Sequence, residues 1–290
     1  MPGVAVVTDS THYLPREVVK RHDLHEVSLY LNWQGKTRRE AEITDYDAFY
    51  GELRAASELP STSQPSVGDF IATYEPLLEG GQDVVSIHIS GGISGTVQAA
   101  EQAREALIER GIAPERLTVI DSRTGCAGIG FMALAAANAA RGGATLAEAV
   151  EAAHRIREVI KLWFAVDTLE YLRRGGRIGA AGAWLGSALR IKPILTINDT
   201  IEPVERVRTS ARSFERMVEY LEERRESGAD VFFVQHIQAP DVAERLAARG
   251  RDIYGREPEF ISEIGPVIGA HVGPGLLGVT GLPTRLLGPV

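Results

Sequence analysis

The stretch that decides the fold class covers residues 84–120 and reads VVSIHISGGISGTVQAAEQAREALIERGIAPERLTVI. Its hydrophobic pattern predicts a strand over 84–89, a helix over 96–109 and another strand over 117–120. A helix of this length between two strands favours parallel pairing of the strands through a right-handed crossover. We therefore expect an α/β protein with a parallel sheet.

The first half of the chain continues this alternation of strands and helices. Apolar or alternating residues at 4–7 and 27–33 predict two more strands. Helical spacing at 45–56 and an alanine-rich run at 128–140 predict two more helices. We assign these elements to an N-terminal α/β domain over residues 1–157, with a parallel sheet.

The second half of the chain predicts a different kind of sheet. Strand patterns at 194–197 and 201–207 are separated by Asn198-Asp199-Thr200, a turn typical of hairpins, which predicts antiparallel pairing. A small-residue helix is expected over 182–189. We assign residues 158–290 to a C-terminal α/β domain with a mixed or antiparallel sheet.

The composition excludes several classes of protein. Of the 290 residues, 44% are hydrophobic and 24% are charged, which is typical of a soluble globular chain. Asp and Glu outnumber Lys and Arg by 39 to 31, and the net charge of −8 argues against general affinity for nucleic acid. The longest apolar run, 128–140, is well short of the roughly 20 residues that a transmembrane helix needs. We therefore expect no nucleic-acid partner and no stable membrane insertion.

The expected location is the cytoplasm. The residues after Met1 lack the positively charged start and long apolar stretch of an export signal. The single cysteine, Cys126, cannot form an intramolecular disulfide, which agrees with a reducing compartment.

No motif indicates a cofactor or a metal. The chain has no GxxxxGK[ST] phosphate-binding loop and no HExxH or similar histidine spacing. Residues 128–133 match GxGxxA at a helix start, but the strand before them is the third or later one in the chain, unlike a dinucleotide-binding unit. We interpret these small residues as a surface for close helix packing.

Hydroxyl-rich loops precede two of the predicted helices. Thr62 and Ser63 lead into a helix whose Ser66 and Asp69 have capping-box spacing, and Ser94 leads into another helix. Helix amino termini offer unpaired N–H groups, so such loops favour an anion. Hydroxyls and amides hold a carboxylate without a formal counter-charge, although for Ser66 and Ser94, each taken alone, a helix cap is the better explanation.

His271 differs from the other histidines because it lies in the glycine-rich segment 265–275, which we expect to be a loop. Such a loop lets backbone approach a ligand closely, but a histidine hydrogen-bonded within a tight loop explains the pattern equally well. Ser94 follows a strand and precedes a helix, so a hydrolase with Ser94 as nucleophile and His271 as base also stays open.

A series of short motifs along nearly the whole chain resembles the DegV family of bacterial fatty-acid-binding proteins. The motifs are VVTDST at 6–11, TSQPS at 62–66, SIHIS at 86–90 with SGT at 94–96, VIDS at 119–122, DTLEYL at 167–172, GGRI at 175–178, KPIL at 192–195 and IGPVIG at 264–269. The resemblance implies a two-domain DegV-like fold with a long-chain fatty acid in a tunnel between the domains.

The resemblance also implies a site and a partner. By motif, the ligands of the fatty acid carboxylate are Thr62, Ser63, Ser94 and His271. A separate ATP-binding fatty acid kinase is implied to phosphorylate the bound acid, and the chain to carry the acyl phosphate toward phospholipid synthesis without being a catalyst itself. Because an acyl phosphate carries more negative charge, Arg177 and Arg208 are candidates for contact with the phosphate or the kinase.

The sequence departs from the family pattern in three places, one on the expected phosphate or partner surface and two that concern the geometry at the acyl end. They are Thr209-Ser210-Ala211-Arg212 after the Val-Arg motif, Ala270 and Val272 beside His271, and Gly91-Gly92-Ile93 in place of a serine-containing turn. Two other functions therefore stay open beside the carrier. One is a Ser94/His271 lipid or ester hydrolase, and the other is a protein that binds a different lipid-like carboxylate.

Overall fold

The computed structural model describes residues 3–185 and 191–288. The strands are β1 (Val4–Asp9), β2 (Leu24–Val27), β3 (Tyr30–Trp33), β4 (Lys36–Arg39), β5 (Ser61–Ser63), β6 (Asp83–His88), β7 (Leu117–Asp121), β8 (Trp163–Ala165), β9 (Lys192–Asn198), β10 (Thr200–Val207), β11 (Val231–His236), β12 (Ile261–Glu263) and β13 (Leu277–Leu282). The helices are α1 (Arg16–Arg21), α2 (Tyr46–Ala55), α3 (Val67–Glu79), α4 (Thr96–Glu109), α5 (Ala127–Arg141), α6 (Leu146–Val159), α7 (Glu170–Arg174), α8 (Ser210–Glu226), α9 (Pro240–Tyr254) and α10 (Pro266–Val272).

Two compact units make up the chain, and neither is one continuous segment. The first unit contains residues 3–30, 63–159 and 285–288, and the second contains residues 31–62 and the described part of 160–284. These units differ from the continuous domains 1–157 and 158–290 expected from the sequence, chiefly in where residues 31–62 belong. The physical reason is long-range bonding, because the buried Tyr50 hydroxyl of α2 donates to the carbonyls of Ile264 and Gly265.

A parallel four-stranded sheet of order β2-β1-β6-β7 forms the centre of the first unit. Apolar side chains of α3 and α4 pack with the buried residues of β1, β6 and β7, while α5 and α6 pack on each other and contact the same sheet. The expected parallel α/β architecture is confirmed. Within it, α3 begins with the predicted capping box, because Ser66 Oγ accepts from Asp69 N and the Asp69 carboxylate accepts from Ser66 N.

A mixed six-stranded sheet of order β10-β9-β8-β13-β11-β12 forms the centre of the second unit. Its strands pair antiparallel except for β11 and β12, which are parallel. The predicted mixed sheet and its hairpin are confirmed, and Asp199 takes the left-handed φ of 69° that a tight hairpin turn needs. The apolar faces of α8 and α9 cover this sheet.

Two predicted elements differ from those in the structure. The strand expected over 27–33 is two strands, because β2 joins the parallel sheet while β3 joins a small sheet of order β4-β3-β5. The backbone N–H of Leu29, between them, donates to Ser10 Oγ instead of to a sheet partner. In place of the start of the helix expected over 182–189, the structure has a 3-10 helix over Gly179–Trp184, and residues 186–189 of the predicted helix lie outside the described residues.

Candidate functional site

His271 lies in the short helix α10 and not in a loop, so the prediction of a glycine-rich loop at this position was wrong. Pro266 occupies the first position of the helix, where its fixed φ and missing N–H are tolerated. Gly273 ends it with a φ of 74°. A Cβ on Gly273 would also lie 2.3 Å from the Tyr171 ring, so this glycine is required for close packing as well as for its conformation.

Two buried side chains from the 31–62 segment hold α10 in place. Glu40, which is 3% exposed, accepts a 2.8 Å hydrogen bond from the N–H of Val267. A carboxylate at this end satisfies one of the unpaired N–H groups at the helix start. Tyr50 packs against Gly269 so closely that a Cβ there would lie 2.2 Å from its hydroxyl. Sequence reasoning missed Glu40 and Tyr50, because no local pattern indicates a contact across more than 200 positions.

The structure brings together two of the predicted site residues in the second unit, Thr62 and His271. Their side chains are hydrogen-bonded, with 2.7 Å between Thr62 Oγ1 and His271 Nε2. The other ring nitrogen, Nδ1, is buried and has no hydrogen-bond partner among the described residues. A buried polar atom without a partner costs roughly 1–3 kcal/mol, so the placement of this ring carries a cost in stability.

The contact between His271 and Gly175 indicates which ring nitrogen carries the proton. A Cβ added to Gly175 would lie 2.4 Å from Nδ1, so an α-hydrogen of this glycine points at Nδ1. If Nδ1 is unprotonated, its lone pair accommodates the Gly175 α-hydrogen, whereas a hydrogen on Nδ1 would clash with it. We therefore assign the proton to Nε2, which donates to Thr62 Oγ1 and leaves the Thr62 O–H as a donor for another acceptor.

The electrostatic surroundings keep His271 neutral. Burial, and after it the positive charge of Arg177, lower the pKa of His271 to about 4. Arg177 is held nearby because its Nη1 donates to the carbonyl of Gly175 at 2.8 Å. Gly175 thus contacts His271 with its α-carbon and Arg177 with its carbonyl oxygen. The two adjacent glycines of the GGRI motif indicate a close backbone approach, but they do not indicate the group that is approached.

The first unit contains the other two predicted site residues, Ser63 and Ser94. Ser63 ends β5, and the next residue, Gln64, packs against Gly95, whose Cβ position would lie 3.0 Å from Gln64 Nε2. The two serine-containing segments are therefore in contact through Gln64 and Gly95, the residues that directly follow Ser63 and Ser94. Ser94 is half-buried, and its Oγ is hydrogen-bonded to Thr96 Oγ1 at 2.9 Å.

The two candidate arginines lie in the second unit and are exposed. Arg177 follows α7, and Arg208 follows β10 directly. In the part of the chain that the structure describes, Arg208 makes neither an ion pair nor a hydrogen bond.

The hydrogen bonds observed do not favour the hydrolase alternative. The partner of Ser94 Oγ is Thr96, and the partner of His271 Nε2 is Thr62. A Ser–His–Asp arrangement does occur elsewhere, where His88 bonds to Ser86 Oγ at 2.6 Å and to Asp9 at 3.2 Å, but all three residues are 0% exposed. A substrate cannot reach a serine that is fully buried.

Residues 3–185 and 191–288 contain neither a group of metal ligands nor a membrane-spanning helix. No three His, Cys, Asp or Glu side chains there form a group that could hold a metal ion. None of the helices in these ranges is long and apolar enough to cross a membrane.

Comparison with known proteins gives matches over nearly the whole chain. A family model described as "Uncharacterised protein, DegV family" matches residues 3–284. A DegV domain-containing protein of Streptomyces coelicolor is 42% identical over 280 residues, which cover 95% of this chain and 97% of the relative.

Solved structures also match over nearly the whole chain. A DegV family protein from Thermus thermophilus, described for its fatty acid binding, is 34% identical with a TM-score of 0.85, covering 97% of this chain and 100% of the other. DegV of Bacillus subtilis, described as a fatty acid binding protein, is 35% identical with a TM-score of 0.84, covering 96% and 98%. The fold class expected from the sequence is confirmed by both.

Proposed function

This chain belongs to the DegV family, and from that membership and the geometry of Thr62 and His271 we propose that it binds a long-chain fatty acid. The single observation that carries the proposal is the 2.7 Å hydrogen bond between Thr62 Oγ1 and His271 Nε2, which with the proton on Nε2 leaves the Thr62 hydroxyl to donate to a ligand. Two similar solved proteins are described as binding fatty acids, which supports the same ligand class here.

The proposed carboxylate ligands are Thr62 and His271 in the second unit and Ser63 and Ser94 in the first. Thr62 and Ser63 are consecutive, so the chain itself links the two pairs. Hydroxyl donors replace the hydration that a carboxylate loses on binding. His271 serves the carboxylate through Thr62, because its Nε2–H bonds to Thr62 Oγ1 and thereby sets the direction in which the threonine donates.

The acyl chain supplies most of the proposed affinity. Burying about fourteen methylenes at ~0.8 kcal/mol each gives an upper bound of ~11 kcal/mol, from which the cost of ordering the ligand is subtracted. Release into water is therefore slow, and a fatty acid acquired in the cell is expected to survive purification.

The finer part of the proposal concerns a partner. We propose that the chain works in the cytoplasm without being a catalyst, and presents the carboxylate to a separate ATP-binding fatty acid kinase. The acyl phosphate would then pass toward phospholipid synthesis. Arg177 and Arg208 would contact the phosphate or the kinase. Arg208 suits this role because it is exposed and has no acidic partner among the described residues.

Mass spectrometry of the protein purified from bacterial cells tests the proposal. Spectra recorded under native conditions and after solvent extraction should differ by one fatty acid, expected to be about C14 to C18 from the chain length assumed above. An apo mass, together with no uptake of added palmitate, would overturn the proposal. A different lipid-like carboxylate in the extract would keep the site but change the ligand.

Two threonine variants then test the site. Thr62→Val removes the hydroxyl at nearly constant shape and should weaken palmitate binding by about tenfold. Thr73→Val makes the same change on α3, where the hydroxyl donates to the Asp69 carbonyl, and should leave binding unchanged. Equal affinities for the two variants would remove Thr62 from the site.

A further inference from the structure

The loop that carries Ser94 follows β6, and the two strands beside β6 each end in an aspartate. In the order β2-β1-β6-β7, β6 has β1 on one side and β7 on the other, and all three strands are parallel. Their carboxyl ends therefore lie at the same edge of the sheet. Asp9 ends β1 and Asp121 ends β7, while His88 ends β6 and leads into the loop 89–95.

Asp9 holds the start of this loop. Its Oδ2 accepts a 2.8 Å hydrogen bond from the backbone N–H of Ile89 and a 3.2 Å bond from His88 Nδ1. Its Oδ1 accepts from the backbone N–H and the hydroxyl of Thr11. Asp9 is 0% exposed, so burial by itself would raise its pKa, but the hydrogen bonds from His88, Thr11 and Ile89 lower the pKa below its ordinary value. The side chain is therefore a carboxylate that accepts from both sides.

A chain of buried hydrogen bonds fixes the His88 ring against Asp9. Tyr74 donates to Ser86 Oγ at 2.7 Å, and Ser86 Oγ lies 2.6 Å from His88 Nε2. The Asp9 carboxylate can only accept, so the His88 proton is on Nδ1, facing Asp9, and Nε2 accepts from the Ser86 hydroxyl. Each donor in this series has one acceptor, so the geometry at Asp9 is well determined.

Asp121 holds the next part of the loop from the opposite side. Its Oδ1 accepts from the backbone N–H of Gly91 at 3.2 Å and of Arg123 at 2.9 Å. A Cβ on Gly91 would lie 2.9 Å from Asp121 Oδ2, so only glycine lets the backbone approach this carboxylate without displacing it.

The anchored residues in turn fix Ser94. The N–H of Ser90 donates to the carbonyl of Thr124 at 3.0 Å, and the carbonyl of Ser90 accepts from the N–H of Ser94, also at 3.0 Å. The position of the Ser94 backbone thus depends on Ser90, which directly follows the residue that Asp9 holds.

We propose that Asp9 and Asp121 are positioning residues, which hold the loop 89–95 from the two flanking strands so that Ser94 presents its hydroxyl to the carboxylate of the fatty acid. This role rests on the proposed function. Neither aspartate touches the ligand in this scheme, because both already accept hydrogen bonds from the protein itself, Asp9 through both carboxylate oxygens and Asp121 through Oδ1.

A double-mutant cycle with Ser94→Ala tests the role. Asp9→Asn places an amide N–H₂ toward one of the donors of Thr11 or Ile89, and should weaken palmitate binding to the delipidated protein by about threefold to tenfold. If Asp9 acts through Ser94, the same change in the Ser94→Ala protein should alter Kd by less than about twofold. Asp121→Asn, at a partly exposed position, should give the same pattern and remains testable where Asp9→Asn fails to fold.

A control variant separates positioning from general stability. Asn138→Ala removes a buried hydrogen bond to the Leu287 carbonyl at the far end of α5, and should lower the thermal midpoint while leaving Kd unchanged. Additive effects of Asp9→Asn and Ser94→Ala, or an equal loss of affinity in Asn138→Ala, would overturn the positioning role alone. A wild-type protein that binds no palmitate would overturn the proposed function, and Ser94→Ala with unchanged Kd would remove Ser94 from the site and the positioning role with it.

Discussion

Replacing Gly175 with alanine should disturb the Thr62–His271 pair through one steric contact. The φ of Gly175 is −76°, a conformation that alanine adopts freely, so the substitution introduces no backbone strain. Its Cβ would lie 2.4 Å from His271 Nδ1, against an ordinary contact distance of roughly 3.4 Å. The imidazole must therefore move by roughly 1 Å, which breaks its 2.7 Å bond to Thr62.

The magnitude follows from two costs and one gain. Overpacking in a rigid site costs about 1–3 kcal/mol, and the lost hydrogen bond costs about 1 kcal/mol. The smaller entropy of the unfolded alanine variant offsets up to about 1 kcal/mol. We expect Gly175→Ala to lower the free energy of unfolding by about 1–3 kcal/mol and to weaken palmitate binding by about tenfold.

Urea denaturation and calorimetric titration of palmitate measure these two effects. In a His271→Ala background the imidazole is gone, so Gly175→Ala should leave palmitate affinity unchanged and should no longer destabilise the protein, with only the entropic gain of up to about 1 kcal/mol remaining. The matched control is Gly51→Ala in α2, where a Cβ meets no atom within 4 Å and should stabilise the helix by about 0.5–1 kcal/mol. A Gly175→Ala protein with unchanged palmitate affinity, or a penalty that persists without the imidazole, would refute the steric reasoning.

Three other predictions concern the same unit. Because the pKa of His271 is lowered from 6.5 to about 4, the unfolded state binds more protons in this window, and stability should fall as the pH falls through it. The His271→Ala variant should lack the decrease in the free energy of unfolding that is due to this histidine, which is at most about 3 kcal/mol. Urea titrations of the ligand-free proteins near pH 7 and near pH 4.5 measure the difference. Gly269→Ala should lower the free energy of unfolding by about 1–3 kcal/mol, since its Cβ would collide with the buried Tyr50, and a normal thermal midpoint would contradict this. Arg208→Ala should reduce kinase-dependent acyl phosphate formation while leaving palmitate Kd unchanged, and an unaltered phosphorylation rate would remove Arg208 from the partner surface.

Local signals in the sequence were sufficient for much of the fold. The helix expected over 96–109 is α4 with the same bounds, and the pattern at 84–89 differs from β6 by one residue at each end. These elements have strong hydrophobic periodicity and clear boundaries. The secondary structure that their local sequence favours is therefore the one that their packing in the fold also requires. The strand expected over 27–33 failed because the alternation continues across Ser28-Leu29 although the chain changes sheets there, and alternation carries no information about sheet membership.

The site was harder to predict than the fold. His271 stands out in the sequence because of the glycines around it, yet those glycines made a loop seem the better interpretation than the helix α10. Pro266 after Gly265 was the available signal for a helix start. The partners of the helix gave no such signal, since Glu40 and Tyr50 belong to a segment that is distant in sequence and reaches α10 only through the tertiary fold.

The electrostatics of the Thr62–His271 pair suit an anion carrier better than a hydrolase. A general base works best with a pKa near the operating pH, and at about 4 the pKa of His271 is too low for efficient proton abstraction at neutral pH. A neutral imidazole is well suited to orienting Thr62, and a carboxylate that binds beside it would raise the pKa of His271. Phosphorylation of that carboxylate would add charge close to Arg177, which now donates to the Gly175 carbonyl. Under the proposed function, the site therefore binds the fatty acid with neutral donors and keeps a cation nearby for the more highly charged product.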